Sequence, residues 1–141
     1  MLEYQIMAKR NDAHGSIASC KQAQITLDTD INGRPDAFNP AELLLASLAA
    51  CILKNIDRVA LIIHFDFRGV RVEVHGERQD KPPKMSRIDY RVIIDTDEND
   101  QELKLLHKNI QKFGTIYNTV SGATRLEGVL VRDESVTPED S

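Results

Sequence analysis

Cysteine is scarce in this chain, with Cys20 and Cys51 the only two among 141 residues. In a reducing compartment such thiols stay free, which excludes a disulfide scaffold and leaves redox chemistry, metal binding or packing. Histidine is nearly as sparse: His14, His64, His75 and His107 fall in no CxxC or HxxxH spacing, so the pattern points to no metal. There is no block of one charge sign either. The formal net charge is -4 with acidic and basic residues interspersed, which offers no electrostatic footprint for nucleic acid or an anionic membrane. The longest apolar stretches, 43–53 and 59–65, are separated by Lys54, Asp57 and Arg58, which argues against a bilayer span. MLEYQIMAKR carries Glu3, Lys9 and Arg10 without an apolar core and does not resemble a secretion signal, so a cytoplasmic location is expected. A glycine-rich phosphate loop, a nucleophile elbow and internal repeats are all missing.

What is present is an ordinary globular composition, 41% hydrophobic and 28% charged. The length fits one domain over residues 1–133, followed by a frayed acidic tail at 134–141. LEYQIMAKR and QAQITLD alternate as strands and suggest a hairpin or short meander, with AHGSIASC between them. After the loop-rich DTDINGRPDAF comes the strongest local signal, NPAE. Asn39 can cap, Pro40 suits the first helical position and Glu42 can reach back as a capping-box carboxylate. Apolar character runs on to His64, predicting a helix of about 24 residues and ~36 Å.

On that helix Leu43, Leu44, Ser47, Leu48, Cys51 and Asn55 recur on one side, while Leu45, Ala46, Ala49 and Ala50 keep much of the remaining surface apolar. A helix apolar nearly all round needs cover on several sides, and in so short a chain a second copy can supply it. RGVRVEVHGERQ and RIDYRVIIDTD then read as strands joined by a proline-containing turn. NDQELKLLHKNIQKF reads as an amphipathic helix capped at Asn99 or Asp100 and ended by Gly114. TIYNTVSG is a short linker or helical turn, and GATRLEGVLVRD a final strand. The order gives an α+β fold rather than a βαβ alternation.

Cys51 is the central chemical question. Free cysteine is among the most buried residue types, so packing is the plain reading. Reactivity needs thiolate, and Cys51 lies about three turns into its helix, beyond the reach of the helix dipole. A cation would have to be brought in by the fold, and Arg10 and Arg34, on or near loops, are candidates by residue type. His64 reads as a helix-end cation or satisfied core residue, and His14, His75 and His107 as surface residues.

NPAELLLASLAAC resembles the signature of the OsmC/Ohr superfamily, in which an Asn/Ser/Thr-Pro-x-Glu-Leu start leads to a cysteine in a long central helix. VRVEVHGERQDKPPKMSRIDYRVII and the helix, turn and strand after it extend the resemblance over nearly the whole chain. The resemblance implies curved antiparallel sheets around a long central helix, in an intertwined homodimer with sites at the subunit interface. It further implies that Cys51 attacks a hydroperoxide and becomes a sulfenic acid, served by an arginine matched first by Arg10 and then by Arg34. No cofactor is implied.

Two departures mark the chain. Gly114 stands where the family's resolving cysteine is expected, and Ala41 where its activating glutamate is, with Glu42 matching the neighbouring capping residue. Two functions follow as expectations. One is a one-cysteine peroxidase acting on organic hydroperoxides, resolved by an external thiol reductant or by Cys20, with Tyr117 partly filling the space left by the altered segment. The other is a non-catalytic dimer binding a small apolar ligand or a protein partner.

Overall fold

In the computed structural model, which describes residues 1–135, the longest element starts as a capping box. The backbone N–H of Glu42 donates to Asn39 Oδ1 at 2.8 Å, and that of Asn39 donates to Glu42 Oε1 at 2.9 Å. Helix α1 runs from there over Pro40–Ile63, 24 residues. It ends at His64, which takes a left-handed conformation with φ 57°, while Phe65 N–H donates to Ala60 O at 2.9 Å. This closing turn is one that glycine usually makes. His64 is exposed, so His64→Gly is expected to stabilise the protein by about 0.5–1 kcal/mol, the left-handed penalty less glycine's extra chain entropy. Thermal unfolding of the two proteins side by side measures it.

The chain divides into two compact units, Met1–Leu44 and the part from Leu45 on. In the first, β1 (Met7–Asp12), β2 (Gly15–Cys20) and β3 (Ala23–Leu27) form an antiparallel meander in that order. AHGSIASC, expected as the connection between two strands, therefore supplies the central strand. Its small residues are what their neighbours require: Ser16 Oγ hydrogen-bonds Thr29 Oγ1 at 2.7 Å, and a Cβ on Gly15 would run into the Arg34 guanidinium.

In the second unit, β4 (Gly69–Asp80) and β5 (Pro83–Asp95) make a long antiparallel hairpin. Helices α2 (Asp100–Phe113) and α3 (Thr115–Ser121) follow, and β6 (Arg125–Arg132) closes the sheet in the order β4-β5-β6. The expected antiparallel pairing holds for β1 to β3 and for β4 with β5. Strand β6 departs from it, lying parallel to β5, because the two helices between them form the crossover a parallel pair needs. The N-cap of α2 is Asn99, whose side chain accepts from Glu102 N–H at 2.9 Å.

The core of this unit gathers Leu48, Ile52, Ile56 and Val59 of α1, Ile88, Val92 and Ile94 of β5, and Leu106 and Ile110 of α2, all buried. Burying side chains of this size stabilises by roughly 1.5–3 kcal/mol each before chain entropy is charged against it. Among the described residues no helix is long and apolar enough to cross a membrane. The expected acidic tail lies, from residue 136 on, outside the described residues.

Candidate active site

Cys51 sits at the edge of the buried stripe of α1. That stripe passes through Leu48, Ile52, Asn55, Ile56, Val59 and Ala60, so the neighbour Ile52 takes the core position and Cys51 is left half-buried. One turn on, Asn55 Nδ2 lies 3.5 Å from Cys51 Sγ. Asn55 is only 4% exposed, and its Oδ1 accepts from Arg58 Nη1 at 3.4 Å. Thiol, amide and guanidinium thus form a ladder along one helix at the i, i+4 and i+3 spacings that bring side chains together.

The junction between α2 and α3 closes on the same amide. Gly114 has φ -79° and ψ 112°, angles open to any residue, so α2 ends here without the left-handed glycine that its position suggested. Close approach is what demands glycine. A Cβ at 114 would lie 2.9 Å from Tyr117 Cβ, 3.0 Å from Ile110 O and 3.5 Å from Asn55 Nδ2. Tyr117, expected to fill part of the space left by the altered segment, stands against residue 114.

Beyond Tyr117 the polar contacts continue into the sheet. The Tyr117 ring meets the edge of Tyr90 with centroids 6.3 Å apart. Tyr90 is 2% exposed, its hydroxyl lies 2.7 Å from His107 Nε2, and Gln111 Nε2 donates to that hydroxyl at 2.9 Å. The Gln111 amide nitrogen only donates, so the Tyr90 oxygen accepts from it and the Tyr90 O–H is free to donate to His107 Nε2. His107, expected on the surface, is half-buried: its neighbour Leu106 takes the core position, and the imidazole follows one turn behind Leu103. Burial pushes its pKa below the ordinary 6.5. Burial also pushes the Tyr90 phenol up to about 12, against the lowering effect of the Gln111 hydrogen bond.

Both shifts translate into stability. The unfolded chain takes a proton on His107 near pH 6.5 and the folded one only at lower pH, so stability falls as pH drops below 6.5. At the other end the unfolded Tyr90 loses its proton near 10 and the folded one near about 12, so stability falls as pH rises through that window. Urea midpoints from pH 5 to 11 are expected to trace a plateau with both shoulders, and His107→Gln is expected to flatten the acid one.

Of the two arginines, Arg34 lies in a loop, as the sequence suggested, and Arg10 in a strand. Arg10 lies within β1, opposite Ser16, rather than on a loop. Arg34 is in the loop after β3, where its Nε and Nη2 bind the two Asp36 oxygens at 2.6 and 2.8 Å and its Nη1 donates to His14 O at 3.4 Å. Both belong to the first unit and Cys51 to the second. Within its own unit Cys51 is served by Asn55, which sequence reading counted as a member of the helix stripe and not as a ligand. The available signal was an amide one turn from the thiol on an otherwise apolar face. In the first turn of α1, Ala41 supplies no carboxylate. Cys20 ends β2, its Sγ donating to Gln5 O at 3.4 Å. It also lines an apolar depression of about 310 Å³ with Ile6, Ala18, Ile25, Leu27 and Leu43.

Residues 33–127 match the sequence model of a family described as OsmC-like protein. No curated protein matches the chain in sequence. Among solved structures, an OsmC-like protein from Mycoplasma pneumoniae superposes with TM-score 0.85 at 24% identity, over 94% of this chain and 99% of that one. An organic hydroperoxide resistance protein OsmC from Legionella pneumophila gives 0.72 at 20% identity, over 94% and 99%. The organic hydroperoxide resistance protein OhrB of Bacillus subtilis gives 0.64 at 15%, over 92% and 98%. At these identities the likeness is one of fold.

Proposed function

The chain belongs to the OsmC-like protein family, and from that premise we propose that it is a cytoplasmic stress-response protein, a homodimer, whose Cys51 reduces organic hydroperoxides in a one-cysteine cycle. The observation that carries this reading is the half-buried Cys51 thiol with the Asn55 amide aimed at its sulfur, beside a helix junction where Gly114 supplies no second thiol.

In the first step the Cys51 thiolate attacks the terminal peroxide oxygen. The S–O bond forms as the O–O bond breaks, the sulfur loses two electrons, and the departing alkoxide takes a proton to leave as an alcohol. An external thiol then attacks the sulfenic acid, giving a mixed disulfide and water, and a second thiol returns Cys51 to its reduced form with release of the external disulfide. The apolar character of the helix surface suits an alkyl or aryl hydroperoxide better than hydrogen peroxide. Of the two arginines proposed to serve the thiolate, Arg34 is held by Asp36, so in this reading Arg10 takes the role.

The dimer is supported by how much apolar surface one chain leaves uncovered. Leu2, Tyr4, Ile6, Met7 and Ile25 are exposed in the first unit and Leu61 and Ile62 in the second, with Leu61 at 80%. Clusters of this kind mark association surfaces on soluble proteins. The second reading, a non-catalytic dimer that binds a small apolar molecule, is favoured by the depression beside Cys20. Consumption of cumene hydroperoxide driven by an excess of an external thiol separates them: catalysed turnover supports the peroxidase, and a rate no greater than that of thiol and peroxide alone rejects it.

A further inference from the structure

Asn55 is a buried amide in a stripe otherwise made of Leu48, Ile52, Ile56, Val59 and Ala60. In such surroundings both ends of the amide must be satisfied. The identity of its partners fixes which way it faces. A guanidinium carries donors and no acceptor, so Oδ1 turns to Arg58 and Nδ2 is left facing Cys51. The amide nitrogen in turn can only donate, which makes the sulfur the acceptor. That hydrogen bond holds the sulfur to one orientation beside the amide.

We propose that Asn55, oriented by Arg58, is the positioning residue that holds the Cys51 sulfur as a hydrogen-bond acceptor and so sets its reactivity. The proposal rests on the reading of Cys51 as the reacting thiol. It gives the thiol a neutral donor backed by a cation, both from α1, in a chain with Ala41 in the first turn of that helix. Arg58 is exposed and donates to the amide oxygen.

The test is the pH profile of Cys51 alkylation by iodoacetamide, followed by intact mass in a Cys20→Ser background without peroxide. Asn55→Asp keeps the shape and replaces the donor by an anion. Its alkylation midpoint is expected to rise by about one pH unit, slowing reaction at neutral pH by roughly tenfold. Arg58→Ala is expected to raise the midpoint by a smaller amount, and Arg58→Lys, which keeps a charged donor, to restore the parent profile. Because Arg58 is exposed, its variants decide the matter should Asn55→Asp fail to fold. An unmoved midpoint in folded Arg58→Ala, or in folded Asn55→Asp, overturns the proposal. Alkylation needs no hydroperoxide, so a protein inert to peroxide whose midpoint still follows Asn55 and Arg58 rejects the peroxidase and keeps the positioning role. A peroxide-reactive protein with unmoved midpoints does the reverse.

Discussion

Cys51→Ser is expected to bring thiol-driven hydroperoxide consumption down to the rate of buffer, peroxide and thiol alone, while Cys20→Ser keeps the parent rate. Serine preserves the size of the side chain and gives Asn55 Nδ2 an oxygen to donate to, so the helix packing around Leu48, Ile52 and Ile56 is undisturbed. What is lost is the polarisable sulfur that accepts the peroxide oxygen, a step a hydroxyl cannot perform. Cys20 is the internal control. It ends β2 in the first unit with its Sγ donating to the Gln5 carbonyl, and the cycle drawn here does not use it. Loss of turnover in Cys20→Ser would instead assign Cys20 the resolving step, and a disulfide between Cys20 and Cys51 would then be visible by mass in the oxidised parent protein.

The second large effect concerns stability. Gly128 faces Tyr90 across the parallel β5–β6 pair, and a Cβ there would overlap the Tyr90 ring. The ring cannot simply retreat. Its hydroxyl is tied to His107 and Gln111, and its edge rests against Tyr117. Gly128→Ala is therefore expected to cost about 1–3 kcal/mol, as overpacking in a filled core does, and to lower the melting temperature by roughly 3–10 °C for a chain of this size. Loss of the buried Tyr90 environment would show in the same variant as a phenol titrating below about 12. An unchanged melting temperature would mean that the ring has room to move, against the contact described.

Signals with local causes were legible in the sequence. Asn39, Pro40 and Glu42 specify a helix start through their own side chains, and α1 begins and ends where that pattern and the apolar run predict. The cap of α2 at Asn99 follows the same logic. Strand β2 escaped because GSIASC, apart from Ile17, is made of small residues with weak strand preference. They are strand because β1 and β3 flank them and because Gly15 leaves room for Arg34. The direction of β6 was equally hidden, since its own alternation reads the same in a parallel or an antiparallel partner.

The candidate site divides along the same line. Cys51 could be singled out from its place in the helix pattern and from the family resemblance. Asn55 could not be distinguished as a partner, because an amide in an apolar stripe gives no sign of where its nitrogen points until Arg58 fixes the oxygen. His107 read as a surface residue because its flanking residues are those of an amphipathic helix. Its imidazole is drawn inward by the Tyr90 hydroxyl, a contact 17 positions away in the chain. Gly114 carried a correct location and a mistaken reason: it does end α2, and it is glycine for the closeness of Tyr117 and Ile110 rather than for a left-handed turn.

The account turns on whether Cys51 reacts with an organic hydroperoxide and stops at the sulfenic acid for want of an internal partner. Reduced protein mixed with cumene hydroperoxide, quenched over time with dimedone and read by intact mass and peptide mapping, measures this directly. The account predicts a sulfenic acid at Cys51 that forms much faster than on a free model thiol and stays trappable, as one dimedone adduct per chain, until external thiol is added. Oxidation of Cys51 no faster than the model thiol would contradict it.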